Sequence, residues 1–209
     1  MKNKKSLIAL VALLVVGVVG STFAYFTTTK TFNNIFKTEE YKTTVSETFK
    51  SPANWTPGQT ADKVVNVKNE GDVEIAVRVK LVQTWKNGEN ELSLTQTTDN
   101  ETWNVAEINF ANSANWEFNA EDGYYYYKTV LASGQEALPL FDSVTYNAKM
   151  TNELAGIECV EVVNGDTITE TCTSGSGYAG ATYTLDVTVE TIQADAATEA
   201  NGWKYTPAA

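Results

Sequence analysis

Apolar residues recur at every second position in four stretches of the chain. Val73, Ile75, Val77, Val79 and Leu81 alternate with Glu74, Ala76, Arg78 and Lys80, the period of a strand with one buried face. Tyr41, Thr43, Val45 and Phe49 alternate in the same way with Lys42, Thr44, Ser46, Thr48 and Lys50. Val144, Tyr146, Ala148 and Met150 repeat the pattern, as do Tyr183, Leu185, Val187 and Val189. Turn signals separate these runs: Asn69-Glu70-Gly71-Asp72, Asn87-Gly88, Asp122-Gly123, Ser133-Gly134 and Asn164-Gly165. Threonine is abundant and suits strands, and no long 3.6-residue period follows residue 25. The pattern predicts an all-β fold, an antiparallel β-sandwich with Greek-key or jelly-roll connections. Residues Glu89 to Asn119 are less regular and read as an insertion with a short helical turn, around Trp103, Phe110 and Trp116. Ala194 to Ala200 predicts a second short helix, with Trp203 packing back onto the sandwich.

The first 25 residues follow a different rule. Lys2, Lys4 and Lys5 precede an apolar run from Leu7 to Gly20, the charged and apolar regions of an export signal. The run falls short of the roughly 20 residues that cross a bilayer; the competing reading is an uncleaved membrane anchor. Thr22 and Ala24 supply small residues at −3 and −1 for cleavage after Ala24, which predicts a mature start at Tyr25. No stretch rich in Pro, Gly or Ser divides the remainder. The expected organisation is a signal helix over 1–25 and a single β-sandwich domain over 26–209.

Composition narrows the function classes. The 209 residues carry 15 Lys plus Arg against 26 Asp plus Glu, a formal net charge of −11, and no histidine. Without residues 1–25, 12 bases face 26 acids and the net charge is −14. Such acidity argues against a nucleic-acid partner and favours solubility and self-repulsion. The absence of histidine removes Ser-His-Asp triads and the HExxH metalloprotease site. Two cysteines are too few for an all-cysteine zinc site, but an exported chain permits their oxidation.

Several short motifs together resemble the TasA/camelysin family of exported proteins of Gram-positive bacteria. They are the segment Gly20-Ser21-Thr22-Phe23-Ala24-Tyr25-Phe26, the strand-turn-strand Val64-Val65-Asn66-Val67-Lys68-Asn69-Glu70-Gly71-Asp72-Val73, and Asp122-Gly123 followed by Tyr124-Tyr125-Tyr126-Tyr127-Lys128. The resemblance implies a jelly-roll fold, processing by a dedicated signal peptidase with a start at Phe26, and a fibre subunit of the cell surface or biofilm matrix. It also implies assembly by donor-strand complementation. Some members of that family are described as metalloproteases; with no histidine to build their site, the expectation here is a chain that is not an enzyme, with no cofactor and no metal site.

Four groups of residues are candidates for function. Cys159 and Cys172 flank a predicted hairpin whose turn lies at Asn164-Gly165. A four-residue loop pairs Val163 with Ile168 and sets the two cysteines opposite each other. A two-residue turn leaves them diagonal on one face, and a three-residue loop separates them; a disulfide is expected. Tyr124, Tyr125, Tyr126 and Tyr127 put two rings on each face of a strand, either as core and cover or as an aromatic surface for a glycan or host protein. Phe26, Phe32 and Phe36 share strand parity within Phe26–Lys37, a candidate donor strand that would add to a sheet edge of the next subunit; the alternative is a first strand folded into its own sandwich. Acidic pairs such as Glu89/Glu91 and Glu121/Asp122 read as solvated surface charge.

The expected function is an exported structural protein that self-associates into fibres or with other matrix proteins. It would meet a signal peptidase during export, bind no nucleic acid, and keep no stable membrane span after cleavage. The alternative is a secreted adhesion module that recognises a glycan or host protein through an aromatic surface.

Overall fold

The computed structural model describes residues 28–30, 41–50, 52, 54–99, 101–164 and 166–208. They form an all-β structure of mostly antiparallel sheets, as the two-residue period predicts; the signal helix expected over 1–25 lies outside the described residues. In chain order the strands are β1 (Thr28–Lys30), β2 (Thr43–Phe49), β3 (Thr60–Asn69), β4 (Ile75–Asn87) and β5 (Asn90–Leu92). Next come β6 (Thr95–Thr98), β7 (Glu101–Asn104), β8 (Ala106–Phe110), β9 (Trp116–Asn119) and β10 (Tyr124–Tyr127). The last five are β11 (Glu136–Ala137), β12 (Phe141–Tyr146), β13 (Ile157–Asn164), β14 (Thr167–Ser174) and β15 (Thr182–Gln193).

Two sheets carry the core. One has the order β1-β15-β4-β10-β9, with β5 added to β4; the other has β11-β3-β12-β8, with β2 on the far side of β3. The pair β4–β15 runs in register from Ile75↔Gln193 to Lys86↔Thr182. Its inward positions Ile75, Val77, Leu185 and Val187 are all 0% exposed. Each such side chain contributes roughly 1.5–3 kcal/mol by leaving water, so this pair anchors the sandwich. From the opposite sheet, Val65, Val67, Phe141 and Val144 close the core.

The segment read as an insertion belongs to the sandwich instead. β8 pairs with β12, β9 pairs with β10, and β6–β7 form a hairpin of their own. Strands of four or five residues are too short to show a period, so the threonine-rich sequence looked irregular. The short helical elements are single 3-10 turns: Ser113–Asn115 within that segment, then Ala194–Ala196 and Glu199–Asn201 near the C-terminus. Among the described residues no helix is long and apolar enough to cross a membrane.

Two polar residues sit on the core side of β3. Asn69 is 0% exposed, and its amide donates to the carbonyls of Val73 (2.7 Å) and Leu131 (2.9 Å) while its carbonyl oxygen accepts from the Gly71 N–H (3.0 Å). These bonds fix the Asn69-Glu70-Gly71 turn into β4. Lys63 is likewise 0% exposed and is paired with Glu47 of β2. Burial pulls the Lys63 ammonium below its usual value, and Glu47 opposes that shift.

Candidate functional site

The Tyr124–Tyr127 strand follows a turn in which Gly123 takes φ +74°, a left-handed conformation glycine adopts without strain. β10 then pairs with β4, placing Tyr126 beside Arg78. Tyr126 and Tyr127 are buried, at 0% and 6% exposed, so the four tyrosines do not form one aromatic surface. Tyr127 packs edge-on against Trp116 in the core, whereas Tyr126 faces away from it, against Trp203 and Tyr205. Tyr124 and Tyr125 are half-buried. Tyr125 packs at a tilt against Phe118 and Phe110, which are among the exposed large hydrophobic side chains.

On the outer face of this sheet Arg78, the single arginine in the chain, organises a buried polar knot. Its register partner across the strands is Glu190. Nε and Nη2 both donate to Glu190 Oε2, at 2.8 and 2.6 Å. Nη1 donates to the Gly202 carbonyl (2.6 Å) and to the Tyr126 hydroxyl (3.1 Å). The guanidinium also lies over the rings of Tyr124 and Trp203, 4.2 and 4.7 Å from their centres, a favourable arrangement for a partly desolvated cation. Burial works against the Arg78 charge, but Glu190 and Tyr126 outweigh it and hold the group above its ordinary value. Burial, reinforced by the bond from its hydroxyl to Glu190 Oε1 (2.8 Å), pushes Tyr124 up to about 12. Tyr126 donates to Asp122 and accepts from the Lys204 N–H (3.1 Å). Every polar group here is used within the fold. The knot fastens the C-terminal segment, with Trp203 packed back onto the sheet.

Cys159 and Cys172 are directly opposite in the β13–β14 ladder, with Val163 against Ile168, and are joined as a disulfide. The hairpin projects as an arm whose residues, Ile157 apart, are exposed. At its root Gly177 is required by close approach: a Cβ there would lie 2.4 Å from the Ala155 carbonyl oxygen. The Asn87 amide donates to the Gly177 carbonyl at 2.7 Å and ties the root to β4.

At the opposite margin of the first sheet, β1 pairs in parallel with β15: Thr28↔Val187, Thr29↔Thr188 and Lys30↔Val189. The expected cleavage residues Ala24, Tyr25 and Phe26, and the donor-strand residues Phe32 and Phe36, lie outside the described residues.

Arg78, one of the polar positions in the two-residue alternation, lies outward in a cross-strand ion pair with Glu190. No alternation points to the aromatic group at one end of the sandwich. There Trp85 meets Trp55, Tyr146, Tyr178 and Tyr183 at ring-centre distances of 5.1–5.9 Å. These residues come from distant parts of the chain, and the one signal for them was Trp85 continuing the inward alternation of β4.

A family model described as Camelysin metallo-endopeptidase matches residues 1–122. No curated protein and no solved structure matches. The family description overturns the expectation that the chain is not an enzyme, because it gives the family a peptidase name. That name implies a metal, and the donor set can be tested for it. The chain has no histidine. Among the described residues, one group of potential ligands lies close together, Cys159, Glu170 and Cys172, and its two sulfurs are bonded to each other. A single exposed carboxylate remains, whereas a catalytic zinc takes three protein ligands. These residues do not fit the metal.

Proposed function

The chain belongs to the camelysin family, the TasA/camelysin family of exported proteins, and on that premise we propose that it is a subunit of a cell-surface or biofilm-matrix fibre. The subunit self-associates, or joins other matrix proteins, through its N-terminal segment. Export removes residues 1–25 by a signal peptidase and leaves no membrane span; residues 26–209 then act as a single β-sandwich domain.

One observation supports this reading: the pairing of β1 with β15. The contact spans Val187–Val189, a short part of a twelve-residue strand, and it is parallel. No tight hairpin ties β1 to its partner, since parallel neighbours need a long connection. A three-residue parallel edge strand is readily exchanged for the same strand of another copy, the low-cost route to association seen in domain swapping. Main-chain hydrogen bonds supply the affinity and must outweigh the self-repulsion of a subunit with high negative charge.

Electron microscopy of the purified chain beginning at Phe26 is expected to show filaments. Deleting Phe26–Lys37 should abolish them and leave a soluble monomer with its β-sheet circular dichroism intact. A second variant guards against a truncation that fails to fold: Thr29→Cys with Thr188→Cys places thiols at directly paired positions. In filaments oxidation should then give covalent ladders between chains. A truncated chain that polymerises normally, or filaments cross-linked only within single chains, would overturn the proposal.

A further inference from the structure

The aromatic end of the sandwich holds a cavity of about 260 Å³ that is open to solvent on one side. Its walls include Trp55, Trp85, Tyr146 and Tyr178, with Met150 and Ala181 between them. Trp55 and Trp85 stack 9° from parallel with ring centres 5.9 Å apart. Two features distinguish the cavity from a packing defect. First, among the described residues no charged side chain lines it, in a chain where one residue in five is charged. Second, it contains a polar group without a partner. Tyr146 is 5% exposed, and its hydroxyl makes no hydrogen bond among the described residues. The neighbouring hydroxyls are bonded: Tyr178 donates to the Ser93 carbonyl (2.8 Å) and Tyr183 to the Gln83 side chain (2.7 Å). The Tyr146 hydroxyl is not sealed from solvent, whereas Nε1 of Trp85, also a wall residue, is sealed and without a partner. Burial pushes it up to about 12, and it stays a neutral donor and acceptor at any physiological pH.

From these features we infer that the cavity is a binding site for one neutral pyranose ring of a polysaccharide. A sugar ring has an apolar face of C–H groups and a polar edge of hydroxyls. The part-exposed ring of Trp55 takes the first. The Tyr146 hydroxyl within, and the amides of Asn54 and Asn152 with the hydroxyls of Thr56 and Thr151 at the exposed rim, take the second. The volume lies just below the range of about 300–1,000 Å³ that holds drug-sized ligands; it suits a single ring with the rest of the glycan outside. A charged sugar would bring a carboxylate to a wall with no cation, at a desolvation cost that nothing there offsets. An apolar peptide side chain would fill the space but bury the Tyr146 hydroxyl unpaired. The site is separate from the strand exchange proposed above and is present in the monomer.

The test titrates the chain beginning at Phe26 with cellohexaose, maltohexaose and chitotetraose, and with an oligogalacturonate as the charged counterpart, followed by tryptophan fluorescence and calorimetry. At least one neutral oligosaccharide should give a saturable change in emission, and the oligogalacturonate none. Tyr146→Phe keeps the ring packing and removes one hydroxyl; affinity should fall between about threefold and tenfold, as for one hydrogen bond. Asn152→Ala, on the exposed rim, should weaken binding without altering the fold. No saturable response to any neutral oligosaccharide would overturn the inference, as would binding that both variants leave unchanged. Uptake of N-acetylphenylalaninamide with refusal of all the sugars would overturn it in favour of a peptide partner.

Discussion

The β4–β15 pair and the β13–β14 arm are both long antiparallel ladders, yet they are held by different physics. In β15 alternate residues from Tyr183 to Thr191 are buried. In the arm Val160, Val162, Val163 and Ile168 are 55–66% exposed. The body is stabilised by removing apolar surface from water, whereas a lone two-stranded hairpin in water is marginal. The arm adds a covalent staple at Cys159–Cys172 and an anchored root at Asn87 and Gly177. Identical β chemistry thus gives a cooperative core in one place and a locally independent element in the other.

The sharpest way to break this contrast is to remove the same kind of group from each region. Leu185→Ala, at a position 0% exposed, should destabilise the body by about 2–5 kcal/mol. Val162→Ala, in the arm, should change stability by less than about 0.5 kcal/mol. Denaturant midpoints by circular dichroism report both values, and equal losses would erase the distinction. A second experiment separates the regions further. Replacing both cysteines, Cys159→Ser with Cys172→Ser, removes a staple worth about 3 kcal/mol in the chain-entropy account. That loss should appear as roughly hundredfold faster amide exchange in β13 and β14, with the body midpoint unmoved. The smallest effect is set by pH. Tyr124 and Tyr146 in the body titrate near 12 when folded, above the value of about 10 for a free tyrosine. Their folded-state preference for the neutral form is fully present below about pH 10 and is lost as pH rises through about 12. The arm has no tyrosine. Between those pH values tyrosinate absorbance should rise with a loss of body stability, while arm exchange keeps only its intrinsic pH dependence.

The strands with a clean two-residue period were legible because alternate residues face the core, even in β4, whose outer face the segment around Trp203 also covers. The run predicted from Val73 became β4 from Ile75, and the run at Tyr183 became β15. The run at Val144–Met150 ended early: Asn147 turns the chain, its side chain accepting the Lys149 N–H at 2.9 Å. β3 hid its inner face, because Lys63 and Asn69 occupy inward positions that a hydropathy pattern assigns to the surface. The cavity was harder still. Trp55, Trp85, Tyr146 and Tyr178 meet through sheet topology, and no spacing in the sequence encodes that meeting.

The register of the first sheet also sets an order of events for the growing chain. Val79 of β4 is paired with Val189 of β15, 110 residues later in the sequence. Sheets closed by such distant partners fold on the order of milliseconds to seconds, because the intervening chain must be confined before any contact rewards it. A chain that emerges N-terminus first therefore leaves one edge of β4 unpaired until β15 has been made, although β5 and β10 can already pair its other edge. A chain interrupted anywhere before Thr182 has no means of completing that sheet. β15 is thus the strand on which closure of the first sheet waits, since it pairs with both β4 and β1.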